Sequence, residues 1–75
     1  MSRHFRFMIV VEEGPESVGA HVPDLPGCVA IGETRAETVE LIREAIELHL
    51  RDLRERGLDI PEPSSSSEIV DVVAA

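Results

Sequence analysis

The residues of this chain that could carry chemistry are three histidines and a single cysteine, at His4, His21, His49 and Cys28. Their spacing is not that of metal-ligand pairs, and no base is evident near Cys28 in the sequence. We therefore expect no metal, no cofactor and no catalytic residue, and we interpret Cys28 as a small buried hydrophobic side chain. An enzyme that uses Asp24, His21 or Cys28 is kept as an alternative, which a pocket holding these side chains together would favour.

A stretch rich in proline and glycine connects the elements that must position these residues. Pro23 and Pro26 lack backbone N–H donors, so a strand cannot continue through them. Gly27 follows Pro26 and can take the positive φ that a type II turn requires. Thr34 and Glu37 have the spacing of a capping box, which predicts the start of a helix.

Four stretches have the composition and alternation of β-strands. They are His4–Glu12, Ser17–Val22, Val29–Gly32 and Glu68–Val73. Met8 and Val10 add apolar residues to the second face of the first strand, so we expect it to be central in its sheet. The turn at residues 13–16 predicts a hairpin between the first two strands, and the last strand must return to the sheet.

One long helix is predicted from about Arg35 to Arg56, ending at Gly57 in a Schellman motif with Leu58. Apolar residues recur at helical spacing along one stripe. They are Ala36, Val39, Ile42, Ile46, Leu50 and Leu53. The element order is therefore β-β-β-α-β, an α+β fold in which one helix packs across an antiparallel sheet, in a single domain over residues 1–75.

A second apolar stripe on this helix, formed by Leu41, Ala45 and Leu48, makes its apolar surface wider than one sheet usually covers. Either a second subunit or the loop at residues 57–67 must cover it. We expect the subunit, in a homodimer or homotetramer, because small domains are often stabilised by oligomerisation and closed symmetric assemblies are usual.

The net charge of −8 comes from fifteen acidic residues against seven arginines, with no lysine. This charge repels phosphate backbones, so we expect no direct nucleic-acid binding. It suits a basic protein partner, although acidic charge also keeps small domains in solution without any partner. No apolar run is long enough for a membrane span, and we expect a cytoplasmic protein.

Three motifs together resemble the HicB antitoxin family. The first is the run from Val22 to Cys28, Val-Pro-Asp-Leu-Pro-Gly-Cys; the second is Gly-Glu-Thr at residues 32–34; the third is the run from Gly57 to Pro63, Gly-Leu-Asp-Ile-Pro-Glu-Pro. The resemblance spans about Phe5 to Val73. It implies a partial ribonuclease-H-like β-β-β-α-β fold without nuclease activity, and hence a protein that is not an enzyme.

The resemblance also implies a partner. HicB proteins bind HicA, a small basic ribonuclease toxin that cleaves mRNA, and mask its catalytic histidine. Many continue into a DNA-binding domain that represses their own promoter; the 75 residues contain no such segment, so we expect no autorepression by this chain alone. The exposed turn and its neighbour, His21, Asp24, Leu25 and Pro26, are our candidate partner-binding residues, together with the charged arc of the helix that carries Glu40, Glu44, Glu47 and Glu55. The alternative is an orphan oligomeric binding or regulatory module without a cognate toxin.

Overall fold

The computed structural model describes residues 3–75, which form a three-stranded antiparallel sheet followed by one helix. The elements are β1 (Val10–Glu13), β2 (Val18–His21), β3 (Val29–Gly32) and α1 (Arg35–Glu55). The strand order is β1-β2-β3, with β2 in the centre. This arrangement confirms the α+β class, the hairpin and the single long helix predicted from the sequence.

The register of the sheet brings three chain segments to each of its ends. Glu13 pairs with Val18, which pairs with Gly32, at the end nearer the start of the helix. Val10 pairs with His21, which pairs with Val29, at the opposite end. The hairpin turn is closed by a 2.8 Å hydrogen bond from the Gly14 N–H to the Ser17 carbonyl.

The prediction that the first strand is long and central is wrong, because β1 begins only at Val10 and lies at an edge. Residues 4–9 have no ladder partner, since β2 ends at His21 and the chain then turns at Pro23. Phe5 and Phe7 nevertheless stack with ring centroids 6.0 Å apart, and Phe7 packs against the core. The N-terminal segment, residues 4–9, therefore has an apolar side in contact with the protein and a backbone that is not paired.

The helix begins and ends where the sequence predicts, and one of the two bonds of the predicted capping box is formed. The Thr34 hydroxyl accepts a 3.1 Å hydrogen bond from the Glu37 N–H, which satisfies one of the free donors of the first turn. At the other end Gly57 has φ +68°, and the Leu58 N–H donates to the Leu53 carbonyl at 2.9 Å. This is the six-to-one bond of a Schellman motif, and it stops the helix.

The core lies between the inner face of the sheet and α1. Its buried members are Ala20, Val22, Leu25, Cys28 and Ile42. Ala36, which the helical stripe placed in the core, is exposed, whereas Thr38 is completely buried. The Thr38 hydroxyl lies 3.2 Å from the Val18 carbonyl and 2.7 Å from the Thr34 carbonyl, so a polar side chain is satisfied at the closest contact of helix and sheet.

The predicted fifth element is not a strand in the structure. Residues 68–73, which we call the tail, pair with no strand, and the side chains of Ile69, Val70, Val72 and Val73 are 72–96% exposed. The prediction followed from their β-branched composition, which favours a strand. A strand also needs backbone hydrogen bonds to a neighbouring strand, and residues 68–73 make none in the structure.

Candidate functional site

The turn between β2 and β3 is a compact loop held by its own backbone. The Leu25 N–H donates to the Val22 carbonyl at 3.1 Å, and the Cys28 N–H donates to the Leu25 carbonyl at 3.0 Å. Gly27 has φ +84°, the conformation of the third residue of a type II turn with Pro26 before it. A third bond, from the Val22 N–H to the Cys28 carbonyl at 3.1 Å, closes the base of the loop.

Asp24 ties this loop to the segment that follows the helix. Its carboxylate accepts four hydrogen bonds, from the backbone N–H groups of Ser64 and Ser65 at 3.0 Å and from their hydroxyls at 3.1 and 2.7 Å. Hydrogen bonds to the charged form, chiefly from the backbone and side chain of Ser65, lower the pKa of Asp24 from 3.8 to about 2. The turn motif Pro-Asp-Leu-Pro-Gly thus holds residues 64 and 65, which follow α1, against the β2–β3 turn. The sequence alone did not predict this role for Asp24.

The four candidate partner-binding residues in and beside the turn occupy different environments. Pro26 is exposed, and His21 is half-buried on the outer face of the sheet beside Val10 and Val29. The Asp24 carboxylate is engaged by the two serines. Leu25 is 1% exposed, so its side chain supports the loop from the core and is not part of the surface that a partner could reach.

The residues considered for catalysis are not gathered in one place. His21 lines a shallow depression on the outer sheet face, whereas Cys28 is buried beside His49 at the side of the helix. Burial raises the pKa of the Cys28 thiol, which keeps it protonated and a weak nucleophile. Within residues 3–75 no three His, Cys, Asp or Glu side chains are grouped so as to hold a metal ion.

Five exposed glutamates cluster at the end of the sheet where the helix begins, and we call this surface the acidic end. The sheet register and the chain connections bring them together from β1, the hairpin turn, the β3–α1 turn and the first helical turn. They are Glu12, Glu13, Glu16, Glu33 and Glu37. The ion pairs found among the described residues are Arg3–Glu62, Glu40–Arg43 and Asp52–Arg56, so none of these five carboxylates is ion-paired there; the exposed Arg35 is the neighbouring cation in the same turn.

The second apolar stripe of α1 is only partly covered by the chain itself. Leu41 and Ala45 are half-buried, while Leu48 is 64% exposed next to Val29, which is 63% exposed. Residues 57–67 therefore do not cover Leu48, contrary to the alternative in which that loop hides the stripe.

These features define the class of the protein: a small acidic α+β domain with exposed acidic and apolar surfaces. A family model described as "HicB_like antitoxin of bacterial toxin-antitoxin system" matches residues 7–73. The chain belongs to this HicB-like antitoxin family, which confirms the resemblance inferred from its motifs.

Two curated proteins match the chain. One is a "UPF0150 protein" of Helicobacter pylori strain J99, 46% identical over 44 residues that cover 59% of this chain and 61% of that protein. The other is an "uncharacterized 14.9 kDa protein in rep-hol intergenic region" of Haemophilus phage HP1, 27% identical over 64 residues that cover 85% of this chain and 48% of that protein. The chain thus spans about half to three-fifths of the length of these relatives.

No solved structure matches the chain at a significant level. Among residues 3–75, α1 is too polar to be a candidate for crossing a membrane.

Proposed function

We propose that this chain is an antitoxin that binds and inhibits a small, basic, mRNA-cleaving toxin of the HicA kind in the cytoplasm. Membership of the HicB-like antitoxin family supports a toxin as the partner. The observation that carries the proposal at this chain's own residues is the acidic end, where five exposed carboxylates outnumber the neighbouring Arg35 and take part in none of the ion pairs of the described residues.

The physical basis of inhibition is competition for one surface. A ribonuclease binds the phosphates of its substrate with basic side chains, and a surface that attracts phosphate also attracts clustered carboxylates. Complementary charge raises the association rate and fixes the orientation of the two proteins. His21, Asp24 and Pro26, at the opposite end of the sheet, are a second candidate contact, with Leu25 holding the turn from beneath.

The test is RNA cleavage by a HicA-type ribonuclease from the same genome, measured with and without the purified chain. We expect cleavage to be suppressed at a stoichiometric ratio. Equal cleavage in both samples would refute the proposed function. Recovery of the same small basic ribonuclease with the tagged chain from its own cell lysate would support it independently.

The acidic end can be tested with two triple variants that remove the same charge. Glu12→Gln, Glu13→Gln and Glu16→Gln should weaken inhibition by roughly tenfold or more at low salt, because they remove charge where the toxin binds. Glu44→Gln, Glu47→Gln and Glu55→Gln on the helix should change it much less. An equal effect of both triples would mean that only net charge matters, and the assignment of the acidic end would be wrong.

The chain self-associates through Leu41, Ala45 and Leu48 in a homodimer or homotetramer. The exposed Leu48, with the half-buried Leu41 and Ala45 beside it, supports this second element of the proposal, because an apolar patch left in water is a common mark of a protein interface. The same patch favours the alternative function, an oligomeric binding module without a toxin, if the ribonuclease test fails.

A further inference from the structure

The tail is an apolar segment of strand-like composition that pairs with no strand of its own chain. Its residues Ile69, Val70, Val72 and Val73 are exposed, and three of the four are valines, which favour strands. Within the described residues, no side-chain or long-range backbone hydrogen bond involves the chain beyond Ser65. Four large apolar side chains in water and a backbone without ladder hydrogen bonds are the features of a strand that lacks its neighbour.

The complementary feature is the open edge at β1 and the N-terminal segment. Residues 4–9 have no ladder partner, and β1 pairs only with β2. Beneath this edge, between the N-terminal segment and α1, lies a cavity of about 340 Å³. Its apolar lining includes Phe5, Phe7, Ile9, Ile42, Ile46 and Leu50. Arg3, His4, Arg43 and Glu47 also line the opening, so a strand added along residues 4–9 would place alternate side chains over a partly apolar cleft.

Charge distinguishes this edge from the edge at β3. Arg6 is exposed on the N-terminal segment, whereas Arg3, just before it, is already ion-paired with Glu62. The tail carries Glu68 and Asp71, so an added strand can bring a carboxylate beside the Arg6 guanidinium. The β3 edge offers no such cations, since Val29–Gly32 contains none and Glu33 follows it.

The tail leaves its own chain without pairing with it. Ser64 and Ser65 are fastened to Asp24 and Glu62 is ion-paired with Arg3, yet beyond Ser65 the tail makes none of these contacts and its apolar side chains stay exposed. The radius of gyration is 14.7 Å and the longest dimension is 52 Å. A compact chain of this length would have a radius of gyration of about 11 Å. The tail is thus in a position to reach another molecule.

We infer that the tail of one copy adds as a strand to the edge formed by residues 4–9 and β1 of a second copy. The exchange is reciprocal under two-fold symmetry, so both tails and both open edges are paired in one dimer. Each added strand gains backbone hydrogen bonds and buries valines that are exposed in the single chain. This contact is separate from the helix patch, and its test does not depend on the toxin.

Disulfide trapping distinguishes a tail that pairs with the edge of a second chain from a tail that pairs with the edge of its own chain. The variants Arg6→Cys and Asp71→Cys are mixed in equal amounts and oxidised, and the products are identified by mass spectrometry. We expect a disulfide between the two different chains as the main product. Mixing Glu44→Cys with Asp71→Cys is the control, because Glu44 is exposed on the helix away from the edge.

Two outcomes would overturn the inference. The first concerns a double variant that carries both Arg6→Cys and Asp71→Cys in one chain. If it forms its disulfide only within that chain, and the mixture of single variants gives no disulfide between chains, the tail returns to its own sheet. Equal yields from the Arg6 and Glu44 mixtures would show that the tail is not docked at the edge.

A second measurement uses proline, which removes the N–H donor that an added strand needs. In a strand, the backbone N–H groups of neighbouring residues point to opposite sides. One of residues 70 and 71 therefore donates to the edge whichever way the added strand runs, and the double variant Val70→Pro with Asp71→Pro removes that hydrogen bond. We expect self-association in sedimentation experiments to weaken roughly tenfold or more relative to Val70→Ala with Asp71→Ala, which keeps both donors. Equal association of the two double variants would contradict strand addition.

Discussion

Gly32 is the residue on which the contact between helix and sheet depends. A Cβ built on it would lie 2.6 Å from the Thr38 hydroxyl oxygen and 3.2 Å from the Thr38 backbone nitrogen. The hydroxyl cannot move away freely, because it lies within hydrogen-bonding distance of the Val18 and Thr34 carbonyls. The glycine of the Gly-Glu-Thr motif is thus required by close packing and not by a positive φ.

Gly32→Ala should destabilise the fold by about 1–3 kcal/mol, since the extra methyl overpacks a buried contact. Gly19→Ala is the matched control in the neighbouring strand, where a Cβ meets nothing within 4 Å and φ is not positive. Urea unfolding of both variants at one fixed protein concentration gives the comparison. Equal unfolding midpoints for the two variants would contradict this account of Gly32.

At the scale of elements, the link between the β2–β3 turn and the post-helix segment depends on the charge of Asp24. The folded-state pKa of about 2 lies below the ordinary value of 3.8. The four hydrogen bonds therefore stabilise the folded state fully above about pH 4, and this contribution is lost as the pH falls towards 2. At neutral pH the link is intact.

Asp24→Ala should release residues 62–66 without unfolding the sheet and helix. We expect faster amide hydrogen exchange at Ser64 and Ser65 at neutral pH, because their N–H groups lose their acceptor. The wild-type chain should show the same increase between about pH 4 and pH 2, after correction for intrinsic exchange rates. Asp59→Ala is the control, since it removes an exposed carboxylate of the same segment. Unchanged exchange in Asp24→Ala would show that the carboxylate does not hold the segment.

At the scale of the whole molecule, the described residues leave apolar side chains in water at several places, and two of these are proposed contacts. The first is the helix patch of Leu41, Ala45 and Leu48, and the second is the tail; Val29 and Ile31 are exposed on the outer face of the sheet. Two different two-fold contacts are what a tetramer of dihedral symmetry requires, whereas one of them is sufficient for a dimer. Variants that remove each contact separately can therefore distinguish the two assemblies.

Leu48→Glu should produce a smaller species in sedimentation velocity, because it places a charge in the helix patch. Leu58→Glu is the control, since Leu58 is also an exposed leucine but lies beyond the helix end. Far-UV circular dichroism should stay unchanged in both variants. An unaltered sedimentation coefficient for Leu48→Glu would remove the helix patch as an interface.

The local features of this protein follow from its sequence alone. The turn at Pro26 and Gly27, the helix start at Thr34 and its end at Gly57 depend on residues within a few positions of one another, so their chemistry can be read without the fold. The acidic charge and the family motifs are likewise present in the linear chain.

Tertiary structure decided what depends on residues far apart in the chain. The register of three strands assembled the acidic end, Asp24 found its serine partners 40 and 41 positions away, and Thr38 entered the core opposite Gly32. The same physics corrected the sequence prediction for the tail. Its composition favours a strand, but a strand forms only where it pairs with a neighbouring edge, and in the structure residues 68–73 pair with none.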